Sequence, residues 1–167
     1  MDACVSYYFH HKHIVMHAFQ GNFEEFFPYF VKNQLVYSSF WPHVTEAWEK
    51  RDDPNLLFMF FEDMKVDLAG SIRKVSEFLG RDISEDKINE LKEKMSFKGM
   101  KKTDKDEGIE EGNQKIGFFK EDGSAFLRKG QVGDWKNYFT AEMINEMKAF
   151  NEKGREGSDI KFSEELE

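Results

Sequence analysis

Apolar positions recur along most of the chain with the period of an α-helix. Residues 2–17 place Val5, Tyr8 and Phe9, then Ile14 and Val15 or Met16, at roughly helical spacing. Gly21-Asn22 ends that run, and Asn22 is placed to N-cap the next helix. Phe23, Phe26, Phe27 and Phe30 then form one broad aromatic stripe, with Pro28 placed to kink or end the helix. Ser38 or Ser39 opens a helix through Trp41, Val44 and Trp48, which has Pro42 in its first turn and stops at Arg51-Asp52-Asp53-Pro54. Leu56 to Phe61 breaks the pattern. This continuous apolar run after a turn signal reads as a fully buried strand of a sheet covered on both faces.

Ala69 to Gly80 returns to an amphipathic helix, with Ile72, Val75, Phe78 and Leu79 inward and Gly80 as its stop. Ser84 caps another helix, Glu85 to about Lys94, with Ile88 and Leu91 on its buried face. Thr103 to Gly117 is polar and charged around Gly108 and Gly112, which predicts a mobile loop. A last helix runs from Ala141 to about Phe150, and the charged, Gly-rich tail from Lys153 is expected to be loose.

The 167 residues suffice for one domain. A net charge of −8 argues against a general nucleic-acid surface, so the cations matter locally, around Lys98 to Lys102 and at Arg128-Lys129. The single cysteine, Cys4, excludes an internal disulfide and fits a reducing, cytoplasmic compartment. No apolar run approaches the roughly 18 residues of a membrane span. Eighteen phenylalanines point to a large aromatic core or an aromatic pocket lining.

Candidate chemistry concentrates in Arg128-Lys129-Gly130-Gln131-Val132-Gly133-Asp134-Trp135-Lys136-Asn137. Arg128 offers a planar fork matched to phosphate oxygens, Lys129 a mobile point charge, and Gly130 a backbone free to approach a ligand. A phosphate-binding loop and a solvated basic turn closed by a packed Trp both fit these residues. His10, His11, His13 and His17 invite a metal reading, because His13 and His17 share a helical face. Ile14 stands where a zinc-protease pattern needs Glu, and no acidic or Cys ligand lies at matching spacing, so no metal site is assigned.

The run from Arg128 to Thr140 resembles the C-terminal nucleotide signature of the cytosolic sulfotransferases, which use 3′-phosphoadenosine 5′-phosphosulfate as sulfuryl donor. Val5-Ser6-Tyr7-Tyr8, Phe61-Glu62-Asp63-Met64-Lys65 with Phe78-Leu79-Gly80, and Ser96-Phe97-Lys98-Gly99-Met100 resemble further blocks of that family, in the family's order. The resemblance implies that Ser6, Arg128, Lys129 and Gly130 hold the 3′-phosphate. It also implies that Phe97 stacks on adenine, with Ser96 and Met100 lining its slot. Phe61 stands where the family usually has Tyr. It can pack on the base but lacks the hydroxyl, a loss of about 0.5–1.5 kcal/mol.

The implied fold is α/β, the C-terminal part of a P-loop-type parallel-sheet sulfotransferase fold. It would be mostly helical in this chain, with the N-terminal strands and phosphate loop absent. Residues 1–167 would form one incomplete domain, with 103–124 as a mobile lid over donor and acceptor and 153–167 as a loose tail. The implied activity is sulfuryl transfer to a hydroxyl of a small apolar acceptor in the full-length parent. No Thr-Tyr-Pro-Lys-Ser-Gly-Thr-like loop occurs, and the five histidines all follow the place of the family's catalytic His, so no catalytic residue is assigned. The alternative is a non-catalytic module that binds adenosine 3′,5′-bisphosphate or completes another chain. Lys136 and Thr140 match the family's dimer motif, but Ala141 and Asn145 replace its Val and Glu, so family-style dimerisation is not expected.

Overall fold

The computed structural model describes residues 1–121 and 125–162, and among them every regular element is helical. The α-helices are α1 (Asp2–His13), α2 (Phe23–Val31), α3 (Phe40–Glu49), α4 (Phe61–Val66), α5 (Leu68–Phe78), α6 (Glu85–Met95), α7 (Phe97–Glu107), α8 (Ile109–Lys115) and α9 (Ala141–Gly154). A 3-10 turn covers Asp134–Asn137. Helix α1 packs against α2 and this turn, α9 packs against α2 and α3, and α4 to α8 follow one another in a chain of neighbours.

The aromatic stripe of α2 is the centre of the core. Phe23, Phe26, Phe27 and Phe30 are buried together with Cys4, Val5 and Tyr8 of α1 and Met147 of α9. Each such large apolar side chain contributes about 1.5–3 kcal/mol on leaving water. The local sequence sets up this packing. Asn22 Oδ1 accepts from the Glu25 backbone N–H at 2.9 Å and Glu25 Oε2 accepts from the Asn22 N–H at 2.9 Å, closing a capping box ahead of the stripe. Pro28 lies inside α2, which ends three residues later at Val31. Burial pushes the Cys4 thiol up to about 12, so it behaves as a small core hydrophobe.

Four expectations need correction. Leu56 to Phe60 forms no ladder, and Phe61 opens α4 rather than ending a strand. Phe60 keeps an extended backbone at φ −89° and ψ 139°, but among the described residues no neighbouring strand accepts or donates to it. The polar stretch from Thr103 is helical, not a loop. Gly108, at φ 63°, ends α7 as a left-handed C-cap, and Asp104 Oδ1 accepts from the Glu110 N–H at 3.0 Å to start α8. A glycine that reads as a loop marker is thus a cap between two short helices.

On α5, Ile72 is buried, but Phe78 is 40% and Leu79 61% exposed, because only α4 and α6 pack on this helix. The tail, finally, is docked as far as Phe162. Ile160 is buried, Trp48 Nε1 donates to Asp159 Oδ1 at 2.6 Å, and the Phe162 ring meets those of Trp41 and Phe60. Two apolar anchors in a charged stretch outweigh its composition. Residues 122–124 of the expected lid and 163–167 of the expected tail lie outside the described residues.

Candidate functional site

An open cavity of about 450 Å³ lies where the N-terminal half of α1, the start of α4 and the loop from Arg128 meet. Four of the eight residues singled out in the sequence line it: Ser6, Phe61, Arg128 and Gly130. Ser6 is exposed on α1 and lines the cavity. Phe61 is half exposed at the first turn of α4, with Lys65 Nζ 5.5 Å from its ring centre.

Phe97 reaches the site through Gly130. Gly130 has φ 61°, in the left-handed region, and a Cβ built on it would lie 2.5 Å from Phe97 Cδ2. The ring therefore occupies the space that any other residue would fill, and it joins the start of α7 to the cation loop. Ser96 does not line the cavity. Its Oγ accepts from the Gly99 N–H at 3.0 Å and donates to the Glu93 carbonyl at 2.7 Å, so it is the N-cap of α7. Met100 lies one turn into α7, exposed and off the cavity wall.

The cations are held by a carboxylate to which the sequence reading gave no role. Asp134 is buried, with its side chain 3% exposed, and takes Lys129 Nζ on Oδ1 at 2.7 Å and Arg128 Nη1 on Oδ2. Asn137 Nδ2 adds a third donor to Oδ1 at 2.8 Å. Burial pushes the Asp134 carboxyl up, but the hydrogen bonds from Lys129, Arg128 and Asn137 outweigh it and hold the group below its ordinary value. The same hydrogen bond raises the Lys129 ammonium above its ordinary value. The Arg128 guanidinium lies over the Phe9 ring at 4.4 Å and the Tyr138 ring at 5.9 Å, sandwiched between α1 and the end of the 3-10 turn. Asp2 completes the arrangement from α1: Oδ2 accepts from the Gly133 N–H at 2.6 Å and Oδ1 from the Trp135 N–H at 2.9 Å.

Asp2, Phe9, Asp134 and Tyr138 are the residues that sequence reasoning missed. For Asp134 a signal existed, since an acid five and six residues after two adjacent cations can fold back on both. For Asp2 there was none, because its partners are 131 and 133 residues away.

The histidines lie apart from this cavity, and none of them lines it. His11 Nδ1 donates to the Tyr7 carbonyl at 2.9 Å, and its ring centre lies 4.5 Å from that of His17 in a tilted contact. Burial lowers the His11 pKa, and the neighbouring His17 and His10 lower it further against the opposing hydrogen bond to Tyr7. His13 Nε2 lies 2.9 Å from Glu110 Oε1, tying α1 to α8. Among the described residues, no three His, Cys, Asp or Glu side chains are grouped to hold a metal ion, and no helix is long and apolar enough to cross a membrane.

The chain thus sets Arg128 and Gly130 on one cavity with the exposed Ser6 of α1, Phe61 on its wall and Phe97 behind Gly130, while Lys129 is held on Asp134 outside the lining. The comparisons give it a family. The sulfotransferase domain model matches residues 1–159, and the chain belongs to the sulfotransferase family. It is 35% identical over 169 residues to sulfotransferase 1E1 of Cavia porcellus, covering 99% of this chain and 55% of that protein. It is 34% identical over 160 residues to luciferin sulfotransferase of Photinus pyralis, covering 94% of this chain and 42% of the relative. Among solved structures, retinol dehydratase in a complex with retinol and PAP superposes with a TM-score of 0.86 at 34% identity, over 97% of this chain and 47% of that one. A mouse sulfotransferase complexed with PAP gives a TM-score of 0.78 at 28% identity, over 95% of this chain and 55% of that one. The chain thus spans about half the length of the relatives it matches.

Proposed function

We propose that this chain carries the 3′-phosphate and adenine side of a donor site for sulfuryl transfer. The donor is 3′-phosphoadenosine 5′-phosphosulfate, and adenosine 3′,5′-bisphosphate is what remains after transfer. The acceptor is a small apolar molecule with a hydroxyl group, the chemistry that relatives named for retinol and luciferin suggest. In the reaction the acceptor oxygen bonds to sulfur, the bond from sulfur to the 5′-phosphate oxygen breaks, and the hydroxyl proton passes to a base. The observation that carries the reading is the convergence of Ser6, Arg128 and Gly130 on one cavity, with Phe61 on its wall and Phe97 packed behind Gly130.

In this reading Ser6, Arg128, Lys129 and the Gly130 N–H hold the 3′-phosphate, Phe61 and Phe97 pack on adenine, and Ser96 acts through the α7 cap that places Phe97. Residues 103–121 cover donor and acceptor. A P-loop-type parallel sheet is the fold proposed for the whole protein, and Phe60, with its extended backbone, is where the Leu56 to Phe60 segment comes nearest to it. Titration calorimetry of the chain with adenosine 3′,5′-bisphosphate tests the reading. Arg128→Ala removes a charge-assisted contact and weakens binding by about 10-fold or more. Equal affinity of the two proteins, or no binding by a folded wild type, overturns it.

One observation favours a second reading, binding without turnover. No histidine lines the cavity, so no general base of that type stands beside the bound donor. Binding of adenosine 3′,5′-bisphosphate without transfer from the donor to a phenol supports it, and transfer by the chain alone refutes it.

A further inference from the structure

Asp2 is an acid on the wall of a cavity assigned to an anion, and it needs an explanation. Each of its carboxylate oxygens is occupied by one backbone donor, the N–H of Gly133 at 2.6 Å and that of Trp135 at 2.9 Å. These two peptide groups flank Asp134, the residue that holds Arg128 and Lys129. Asp2 also lies four residues before Ser6 on α1, so the two share one face of the helix. One carboxylate therefore joins the helix carrying the Ser6 hydroxyl to the loop carrying both cations, across 131 residues of sequence.

We infer that Asp2 is a positioning residue for phosphate recognition: it fixes the register between Ser6 on α1 and the Arg128-Lys129-Gly130 loop. The inference rests on the donor-site reading above and assigns a residue that the reading does not need. The mechanism is geometric. Two hydrogen bonds clamp the backbone on both sides of Asp134, so its carboxylate is set, and with it the direction of both cations. Without the clamp, the α1 and loop halves of the site lose their mutual distance. Because two N–H groups engage both its oxygens, the Asp2 charge is spent on the protein and does not face the ligand bare.

The test compares adenosine 3′,5′-bisphosphate with adenosine 5′-phosphate, which lacks only the 3′-phosphate, by calorimetry on the full chain. The readout is the ratio of the two affinities. A structural loss that merely lowers the folded fraction weakens both ligands alike and leaves the ratio unchanged. Wild type prefers the bisphosphate by about 10- to 100-fold, the range of charge-assisted hydrogen bonds. Asp2→Ala lowers that preference by about 10-fold, and Asp2→Asn, whose amide oxygen replaces one acceptor of two, lies between them. Should Asp2→Ala fail to fold, Asp2→Asn and Asp2→Glu carry the comparison. A wild-type preference that survives unchanged in the Asp2 variants overturns the inference and leaves the donor site standing. A wild type that does not distinguish the two ligands overturns the donor site, and the inference with it.

Discussion

Replacing Gly130 by alanine tests the join between the cation loop and α7. Two costs follow from the geometry. At φ 61° a Cβ crowds the following carbonyl oxygen, and this left-handed conformation costs about 1–2 kcal/mol for a residue other than glycine. The new carbon would also lie 2.5 Å from Phe97 Cδ2 and 3.1 Å from Cγ and Cε2, a contact with a ring rather than with a flexible side-chain end. Overpacking of that kind costs about 1–3 kcal/mol. The sum is about 2–5 kcal/mol, the smaller figure applying if the Phe97 ring swings away. The cost appears in one of two places. If the loop keeps its position, equilibrium unfolding in urea shows a lower midpoint at an unchanged slope. If the loop shifts, stability is preserved and affinity for adenosine 3′,5′-bisphosphate falls. Both are measured on the same protein, alongside the double variant Gly130→Ala with Phe97→Ala. Removing the ring takes away the steric part but not the backbone part, so the double variant is less impaired than the two single losses added together. Wild-type unfolding and wild-type affinity in Gly130→Ala would refute the reasoning.

Phe26→Ala empties the centre of the core and lowers stability by about 3–5 kcal/mol, read as a shift in the urea midpoint. Asn22→Ala breaks the capping box that starts α2 and costs about 0.5–2 kcal/mol, seen as a lower melting temperature. Acidification lowers the melting temperature in two stages. His10 and His11 are held below the ordinary imidazole value of 6.5, chiefly by burial, so their contribution is complete above that value and is lost as pH falls beneath it, where the unfolded chain takes up protons first. Asp134 is held below its ordinary 3.8, so its contribution is complete above that value and is lost as pH falls through the lower folded value. A melting temperature that stays level or rises as pH falls below 6.5 contradicts the first stage.

The parts of this molecule that were legible in sequence are those decided by near neighbours. The stripe of Phe23, Phe26, Phe27 and Phe30 is core because its spacing already defines one helix face, and Asn22 with Glu25 marks the start of that helix. The α6 cap at Ser84 was visible for the same reason. Composition misled where a tertiary contact overrode it. Gly108 reads as a loop and serves as a cap, and the charged tail reads as loose although Ile160 and Phe162 pin it to the core. Leu56 to Phe60 has the composition of a strand and the backbone of one at Phe60. A strand is nevertheless a relation between two segments, and among the described residues none pairs with this one. At the site, the cations and the glycine were legible as a motif. The acids that organise them were not, because Asp2 meets its partners across the whole length of the fold.

In the proposed donor site two carboxylates stand beside the cations, which looks self-defeating, and their placement shows why it is not. Arg128 and Lys129 are neighbours in sequence and meet the same carboxylate, so their like charges repel at short range. Left alone, the two side chains would splay into solvent, where each is cheap to hydrate and neither is aimed. Asp134 cancels that repulsion from below, with one oxygen for each cation. The guanidinium has five donors and gives only part of its fork to Asp134 and Tyr138, so donors remain for a phosphate approaching from the cavity. Lys129 is a point charge with three donors and a side chain 41% exposed, so it too can serve a second anion while keeping the first. What the acids remove is net charge, which acts at long range and is screened by salt. What they leave is donor geometry, which acts at contact and distinguishes a phosphate in one position from any other anion. The aim of these two side chains is set by Asp134, whose flanking peptide groups are in turn held by Asp2.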